Sequence, residues 1–529
     1  MIHTLRAVGG MAVAPHHLAA QAARDVLRDG GNAIEAMVAA AAAIAVVYPH
    51  MNAIGGDGFW VIHEPGQAPV AIEACGPAAQ QATPAFYAGL ERIPSRGPTA
   101  ALTVAGTISG WARALEVSAR WGGALDLPRL LADAIRHARD GIAVTASQAG
   151  LTRDKLGDGL GDAPGFRDTY LIKGQLPQTG QLLRQPALAD TLHHLATRGL
   201  DDFYRGELGA RIGAALQRVG SPVAAADLSD YQARLVEPLA VRLHDSTVYN
   251  LPPPTQGLST LMILGLFDQL GVRDGEGFAH LHGLVEATKR AFRVRDRIVT
   301  DPEHLPEDPR GYLQPARLAE LARDIEAQRA LPWPEPSAAG DTIWMGTIDR
   351  EGRAVSFIQS VYWEFGSGVV LDGLGICWQN RGTSFSLDPA ALNTLQPGRK
   401  PFHTLNPSMA LFDDGRVMPF GTMGGEGQPQ TQAAVFTRYA RFGQPLQQAV
   451  SAPRWLLGRT WGATSTSLKL ENRFDPALVQ TLADAGHVVE VLPEGFSDTM
   501  GHAGALVRHA DGLMEGASDP RSDGAVAAV

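Results

Sequence analysis

The chain has 529 residues, of which 45% are hydrophobic and 19% are charged, and its formal net charge is -10. This balance is typical of a well-packed globular protein and argues against a disordered or fibrous chain. The negative charge and the lack of a Lys/Arg block argue against nucleic acid as a partner. The two cysteines, Cys75 and Cys377, have no CxxC or Cys/His ligand spacing, so neither a disulfide framework nor a structural zinc site is expected.

The beginning of the chain predicts two packed helices. MIHTLRAVGGMAVAPHH has no basic segment followed by an apolar one, so we see no signal peptide and expect a cytoplasmic location. Residues 33–48 are mostly apolar, but they include Glu35 and fall short of the roughly 20 residues that a bilayer requires. We interpret them as a buried core helix with Asn32 as its N-cap, after a first helix that ends near Gly30 and Gly31.

The middle of the chain alternates helical and strand-like patterns. Helical periodicity covers residues 126–140, 185–198, 257–270 and 277–300. Residues 239–251 are predicted to form one strand, which three prolines at 252–254 then stop. No repeat of 20 to 50 residues is apparent. We therefore expect one compact α/β unit whose parts fold together.

A proline-rich segment precedes a hairpin pattern. The segment LPWPEPSAAG at 331–340 contains three prolines, so it cannot hold a regular helix or a central strand. We expect the Asp341–Thr342 bond that follows it to be exposed. From Thr342 onward, two β-rich runs flank the turn DREG, which predicts a hairpin that starts at Thr342.

This arrangement suits a chain that cuts itself before Thr342. A threonine hydroxyl needs an adjacent base, and an N-terminal threonine has one in its own amine, with a pKa of about 7.7 to 8.0. Branching at Cβ restricts χ1 and orients the hydroxyl relative to that amine. In the uncut chain the same nitrogen is an amide, so the precursor should be inactive. The alternative is a linker followed by an ordinary hairpin.

A glycine pair further along predicts a second part of the same site. Gly424 and Gly425 lie between a strand-like run, VMPFG, and a helix-like run, TQAAVFTRYARF. Consecutive glycines at such a turn can direct two backbone N–H groups at one point, as an oxyanion hole requires. The alternative is a tight turn without a ligand. The pattern is neither a Walker motif nor GxGxxG, so no nucleotide site is predicted.

Several spaced motifs resemble the γ-glutamyltranspeptidase family of N-terminal nucleophile hydrolases. They are GDT at 340–342, FGSGVV at 365–370, PPPTQG at 252–257, the glycine pair, DGGNAIEA at 29–36, IGGDGF at 54–59 and GASDPR at 516–521. The resemblance spans nearly the whole chain. It implies an α/β fold of the four-layer αββα type. It also implies self-cleavage into a helix-rich piece, 1–341, and a strand-rich piece, 342–529, that form one intertwined unit.

The resemblance also assigns roles to residues. Thr342 matches the nucleophile, and the cleaved bond lies between Asp341 and Thr342. Ser360 stands where the family has a threonine that orients the nucleophile's amine, and Gly424 and Gly425 match the oxyanion pair. No cofactor and no metal is expected, because the candidate pair His280 and His282 points along different faces of a helix.

The substrate-binding positions depart from the family. Its arginine for an α-carboxylate falls at about Cys75, and its aspartate for an α-amino group falls at Ser384. A γ-glutamyl head group would therefore be desolvated and unpaired, which costs several kcal/mol and argues against glutathione as a substrate. Arg381 instead offers a guanidinium that suits a carboxylate. The substrate-binding candidates are thus Arg381, Ser384, His403, Thr404 and Tyr362.

Arg381 and His403 each have a simpler alternative role. For Arg381 it is a structural ion pair at the surface, and for His403 it is a hydrogen-bonded histidine of the core.

The segments WEFGSGVV, WQNRGTSFSLDP, GRKPFHTLNP and MGGEGQPQTQ resemble most the oxamate amidohydrolase branch of the family, which makes oxalate and ammonia from oxamate in purine breakdown. We therefore expect a self-processing amidohydrolase of a small anionic amide, without nucleic-acid or membrane partners. Other readings are a γ-glutamyl hydrolase or transpeptidase, a cephalosporin acylase, or an unprocessed binding protein. A homo-oligomer, or a heterotetramer of two processed pairs, is left open.

Overall fold

An alanine-rich helix that is buried along its whole length follows the cap at Asn32. The Asn32 side chain accepts hydrogen bonds from the N–H groups of Ile34 and Glu35, and the Glu35 carboxylate accepts from the Asn32 N–H. This capping box fixes the start of the helix, as the sequence predicts. A helix that is apolar on every side belongs in the interior of a protein. Here it packs between other helices and the strands that carry Thr342.

The computed structural model describes residues 3–333, 341–458 and 465–529, and for Asp341 it describes the backbone only. Most of the predicted linker, 334–340, lies outside the described residues. The helices of the described ranges are α1 (His17–Arg28), α2 (Ala33–Val47), α3 (Thr107–Arg120), α4 (Leu127–Asp140), α5 (Ala146–Lys155), α6 (Phe166–Tyr170), α7 (Pro186–Arg198), α8 (Asp202–Arg205), α9 (Glu207–Val219), α10 (Ala225–Ser229), α11 (Gly257–Gln269), α12 (Phe278–Ile298), α13 (Pro315–Arg323), α14 (Gln428–Phe436), α15 (Leu446–Ser451) and α16 (Pro476–Asp484).

The strands fall into two large sheets and several small ones. They are β1 (Leu5–Ala7), β2 (Gly10–Ala14), β3 (Asp57–His63), β4 (Val70–Ala74), β5 (Ile142–Ala143), β6 (Leu182–Leu183), β7 (Arg234–Val236), β8 (Leu239–Arg242), β9 (Ser246–Asn250), β10 (Asp341–Asp349), β11 (Ala354–Tyr362), β12 (Val370–Leu371), β13 (Ile376–Cys377), β14 (Ser408–Phe412), β15 (Val417–Thr422), β16 (Trp455–Leu457), β17 (Leu468–Glu471), β18 (Val489–Leu492), β19 (Ala503–Arg508), β20 (Met514–Ser518) and β21 (Ala525–Ala528).

The two large sheets are antiparallel and pack face to face. One has the strand order β1-β20-β19-β15-β14-β9-β8, and the other has the order β21-β2-β10-β11-β3-β4-β7. Apolar side chains such as Phe59, Trp344 and Met409 fill the space between the sheets. A second core joins one sheet to α1, α2 and their neighbours, and a third joins the other sheet to α11, α12 and α14. The fold is thus the predicted four-layer αββα sandwich.

The secondary-structure predictions are confirmed for the long helices and wrong for one strand. The predicted ranges at 126–140, 185–198, 257–270 and 277–300 contain α4, α7, α11 and α12. Residues 239–251 form two strands, β8 and β9, which pair with each other as a hairpin. The break falls at His244 and Asp245, where Leu243 N–H donates to the Ser246 carbonyl at 2.9 Å and reverses the chain. Within the described residues, no helix combines the length and apolar character needed to cross a membrane.

The predicted β10–β11 hairpin is present, and Thr342 lies near the start of its first strand. β10 lies between β2 and β11, and β11 in turn pairs with β3. The connecting turn has Gly352 at φ +86°, a conformation that glycine adopts without strain. Asp349 closes this turn by accepting from the Arg353 N–H at 2.9 Å. The paired strands and the closed turn therefore hold the backbone of Thr342 in place.

Candidate active site

Thr342 lies at an irregularity in the ladder between β10 and β11. Asp341 pairs with Tyr362 and Ile343 pairs with Gln359, so the register shifts at Thr342. Such bulges turn a side chain away from its regular direction. The Thr342 hydroxyl donates to Ser360 Oγ at 3.1 Å, which brings together two of the predicted catalytic residues.

Thr342 has no exposed surface. The expectation of an exposed cleavage point is therefore wrong for the residue on its C-terminal side. The physical reason is that β10 pairs with β11 here and is covered by α2 on one face and by β15 and β19 of the second sheet on the other. The Asp341 side chain lies outside the described part of the chain.

Tyr362 connects the nucleophile region to Arg381. Its backbone N–H donates to Ser360 Oγ at 2.8 Å. Its φ of +82° is unusual for an aromatic residue and marks local strain, which is common at functional sites. The Arg381 guanidinium lies 3.3 Å from the centre of the Tyr362 ring, close enough for a cation–π interaction.

Arg381 is a buried cation whose hydrogen-bond partners are neutral. Its Nε and Nη2 donate to Ser384 Oγ at 3.1 and 2.9 Å, and its Nη1 donates to Thr404 Oγ1 at 3.1 Å. Only 1% of the residue is exposed, and no carboxylate among the described residues lies within 4.0 Å of its guanidinium. Burial lowers the pKa of Arg381, but an arginine keeps its charge in proteins. The surface ion pair considered from the sequence is excluded.

A buried Asp57–His403 pair lies beside this cation. His403 Nε2 and Asp57 Oδ2 are 3.0 Å apart, and both residues are almost completely enclosed. Burial raises the pKa of Asp57 to about 7 and lowers the pKa of His403 well below its usual range, with the Arg381 charge acting on both. Asp57 was not among the residues predicted from the sequence. The available signal was an acidic residue between glycines in a segment that is otherwise apolar, IGGDGF.

The glycine pair forms a left-handed turn between β15 and α14. Gly424 has φ +116° and Gly425 has φ +52°, and a short 3₁₀ turn over Gly425–Gly427 follows. The Gly425 carbonyl accepts from Gln256 Nε2 at 2.8 Å. Within 3–333, 341–458 and 465–529, no residue accepts a hydrogen bond from the N–H of Gly424 or Gly425. Two buried or half-buried N–H groups are thus available to an anion.

A continuous series of contacts connects the glycine turn to the hydroxyl of Thr342. Gln256 Nε2 donates both to the Gly425 carbonyl and to the Thr404 carbonyl, each at 2.8 Å. Thr404 then bonds to Arg381, Arg381 stacks on Tyr362, and Tyr362 bonds to Ser360. The structure therefore brings the predicted site residues into one network, namely Thr342, Ser360, Tyr362, Arg381, Ser384, His403, Thr404, Gly424 and Gly425.

A comparison with known families identifies the family of the chain. Residues 19–529 match the family described as Gamma-glutamyltranspeptidase. The chain belongs to the γ-glutamyltranspeptidase family. The resemblance seen in the sequence motifs is therefore confirmed.

Individual relatives cover nearly the whole chain. The chain is 58% identical to the oxamate amidohydrolase proenzyme of Klebsiella pneumoniae, over 98% of each protein. It is 39% identical to a glutathione hydrolase-like proenzyme of Bacillus subtilis, again over 98% of each. Among solved structures, cephalosporin acylase from Bacillus halodurans matches with a TM-score of 0.91 and 33% identity, over 100% of this chain and 97% of the other.

Membership of the γ-glutamyltranspeptidase family determines the class of enzyme. The chain is an N-terminal nucleophile amidohydrolase, and its relatives are proenzymes. The predicted fold, family and enzyme class are thus confirmed. The roles of the individual residues remain proposals.

One group of side chains outside this network has the composition of a metal site. Ligand atoms of His282, Glu286 and His487 lie within 4.8 Å of one another. Glu286, however, already accepts hydrogen bonds from Lys289 at 2.7 Å and from Arg290 at 2.9 Å. His282 Nδ1 and His487 Nε2 are hydrogen-bonded to each other at 2.9 Å. The charges of Lys289 and Arg290 repel a divalent cation, and the Glu286 carboxylate is already hydrogen-bonded. This group is therefore better explained as a buried ion pair and a hydrogen-bonded histidine pair.

Proposed function

We propose that this chain cuts itself between Asp341 and Thr342 and then hydrolyses a small amide that carries a carboxylate, with oxamate as the substrate and oxalate and ammonia as products. The observation that carries the proposal is the environment of Arg381. A buried guanidinium with neutral partners is costly until an anion arrives. The 58% identity to an oxamate amidohydrolase proenzyme supports the same substrate.

The neighbours of Arg381 argue against a γ-glutamyl head group. Ser384 Oγ accepts two hydrogen bonds from the guanidinium and so holds Arg381, and it has no charge to offer an ammonium. Burial raises the pKa of the Cys75 thiol well above its usual value, so Cys75 is neutral and cannot replace the family's arginine. An α-amino acid would enter this site with its ammonium unpaired.

Self-cleavage is the first chemical stage. The Thr342 hydroxyl attacks the Asp341 carbonyl, and the acyl group moves from the Thr342 nitrogen to its oxygen. Water then hydrolyses this ester, which leaves a carboxylate on Asp341 and a free amine on Thr342. Ser360, 3.1 Å from the hydroxyl, would fix its direction during the attack.

Amide hydrolysis is the second stage. The free amine of Thr342 takes the hydroxyl proton while the oxygen attacks the amide carbon of oxamate, whose carboxylate binds Arg381. The N–H groups of Gly424 and Gly425 stabilise the oxyanion, a contribution of about 3 kcal/mol for each donor in comparable sites. Ammonia leaves with a proton, and water releases oxalate from the threonine ester. Thr404 and Ser384 hold the guanidinium, His403 supports Thr404, and Tyr362 forms the wall under Arg381.

Purified protein provides the test. We expect wild-type protein to run as two fragments and to release ammonia from oxamate, whereas Thr342→Ala stays intact and releases none. Thr347→Ala is the matched control, because Thr347 is another buried threonine of β10 and its hydroxyl bonds to the Ala33 carbonyl. That variant should still be cut. A Thr342→Ala protein that splits into two fragments would exclude the scheme.

The same assay distinguishes the alternative substrates, and it also distinguishes a processed enzyme from an unprocessed binding protein. Faster hydrolysis of a γ-glutamyl anilide or of a cephalosporin would identify that compound, and not oxamate, as the substrate. The enzyme class would stay the same. An intact, inactive wild-type chain would favour a binding protein. A cytoplasmic location and a heterotetramer of two processed pairs also remain proposals, and light scattering would measure the latter.

A further inference from the structure

Asp57 lies where several parts of the candidate site meet. It is the first residue of β3, and its Cα pairs with that of Ser360 on β11. Its side chain is fully buried. Oδ1 accepts from Gln379 Nε2 at 3.1 Å and from the Gly106 N–H at 3.0 Å, and Oδ2 is 3.0 Å from His403 Nε2. These donors are neutral, so they hold the carboxylate without cancelling its charge.

The two oxygens of Asp57 hold the two segments that form the anion site. Gln379 precedes Arg381 by two residues, so Oδ1 fixes the segment that carries the guanidinium. His403 directly precedes Thr404, whose hydroxyl accepts from Arg381 Nη1 at 3.1 Å. Oδ2 therefore fixes the segment that carries the partner of the guanidinium. Loss of Asp57 would free both segments together.

Among the described titratable groups that face Asp57, Asp57 itself is the one whose pKa lies near neutral. Burial raises the pKa of Asp57 to about 7, and the hydrogen bonds from Gln379, Gly106 and Gly76, followed by the Arg381 charge, lower it in part. Burial keeps the other titratable neighbours uncharged. It lowers the pKa of the His403 imidazole, and it raises the pKa of the Cys75 thiol and of the Tyr204 and Tyr231 phenols. Arg381 is the permanent charge that acts on Asp57.

We propose that Asp57 is a positioning residue of the anion site and that the Asp57–His403 pair takes up one proton when a substrate carboxylate binds Arg381. A carboxylate on Arg381 cancels the positive field at Asp57 and adds a negative charge nearby. The proton comes from solvent: Asp57 Oδ2 becomes the donor to His403 Nε2, and the imidazole proton moves to Nδ1, which gives up its 3.5 Å hydrogen bond from the Leu405 N–H. This inference rests on the proposed function, because it requires a carboxylate at Arg381.

Calorimetry on the matured wild-type enzyme measures this proton directly. Oxalate, the proposed product, is titrated into the enzyme in two buffers with different ionisation enthalpies. At about pH 8 we expect an uptake close to one proton for each site, and at about pH 5.5 an uptake near zero, because the pair is then already protonated. Above pH 7 the KM for oxamate should rise by up to about tenfold for each pH unit.

Variants separate positioning from charge. Asp57→Ala should raise the KM for oxamate at least about tenfold at every pH with a smaller change in kcat, since both segments lose their support. Asp57→Asn should restore most of this affinity, yet show no proton uptake and a KM that does not vary with pH. Asp349→Asn is the matched control: Asp349 is a buried carboxylate whose pKa burial raises to about 6, but it belongs to the hairpin turn. That variant should keep the wild-type proton uptake.

The outcomes distinguish this inference from the proposed function. A wild-type enzyme that hydrolyses oxamate but takes up no proton at pH 8 overturns the inference and leaves the function in place. A wild-type enzyme that neither binds oxalate nor hydrolyses oxamate overturns both. If the Asp57 variants fail to fold, the wild-type proton counts at the two pH values still decide.

Discussion

Arg381 carries a full charge in a place where water cannot reach it. Its three hydrogen bonds to hydroxyls and its position on the Tyr362 ring offset part of the cost of burial. The remaining cost is removed when a ligand brings a carboxylate. The residue whose burial is costly in the empty protein is thus the one proposed to select its ligand.

Arg381→Lys is predicted to impair substrate binding. Lysine keeps the charge but cannot reproduce the planar fork that bonds to Ser384 and Thr404 and stacks on Tyr362. Loss of one or two charge-assisted hydrogen bonds should lower kcat/KM for oxamate by about 10- to 100-fold, mostly through KM. Steady-state kinetics measure this effect. Arg310→Lys, at an exposed surface ion pair, is the control, and equal effects at both positions would contradict a role for Arg381 in binding.

The turn that connects β15 to α14 depends on glycine at one position in particular. Gly424 has φ +116°, and a side chain there would be strained. The strain would be relieved by rotating the N–H groups that are proposed to bind the oxyanion.

Gly424→Ala is therefore predicted to slow the chemical step. We expect kcat to fall at least about tenfold with little change in KM, because the oxyanion forms only in the transition state. Gly398→Ala is the control, since Gly398 also has a positive φ, +78°, and meets only the end of the Gln80 side chain. That variant should lose some stability and keep its kcat, which thermal unfolding and kinetics would report. A normal kcat for Gly424→Ala would remove the glycine pair from the mechanism.

Elements with local signals could be predicted from the sequence. The cap at Asn32, the periodicity of α4, α7, α11 and α12, and the β10–β11 hairpin each depend on neighbouring residues. The single strand predicted for 239–251 failed because apolar residues on both sides of His244 and Asp245 conceal a two-residue turn. A short turn without glycine or proline gives a weak signal.

The two large sheets mix strands from both sides of the proposed cleavage point. β10 and β11 lie between β2 and β3, and β14, β15, β19 and β20 lie between β1 and β9. Each piece of a cleaved chain would thus keep ladder hydrogen bonds to the other piece in both sheets.

The two fragments are therefore predicted to remain together after cleavage. They should elute as one species of unchanged size at nanomolar concentration, and they should separate only in denaturant, because separation exposes all three apolar cores. Size-exclusion chromatography and native mass spectrometry measure this. Free 1–341 fragment in native buffer would contradict the prediction.

The arrangement of the site depends on the whole molecule, and this limits what the sequence could predict. Thr342, Ser360 and the glycine pair belong to motifs that the family shares, so the sequence was sufficient to nominate them. The contact of His403 with Asp57 joins residues 346 positions apart. No periodicity or spacing encodes such a contact, so neither Asp57 nor the neutral surroundings of Arg381 could be inferred before the sheets were assembled.

Thr342 sits in an inner strand with no exposed surface. A separate peptidase needs an accessible substrate residue, and Thr342 itself is not accessible. If Thr342 performs the proposed cleavage, activation is intramolecular and its rate should not change on dilution. Expression in any host that folds the chain should then yield the processed protein.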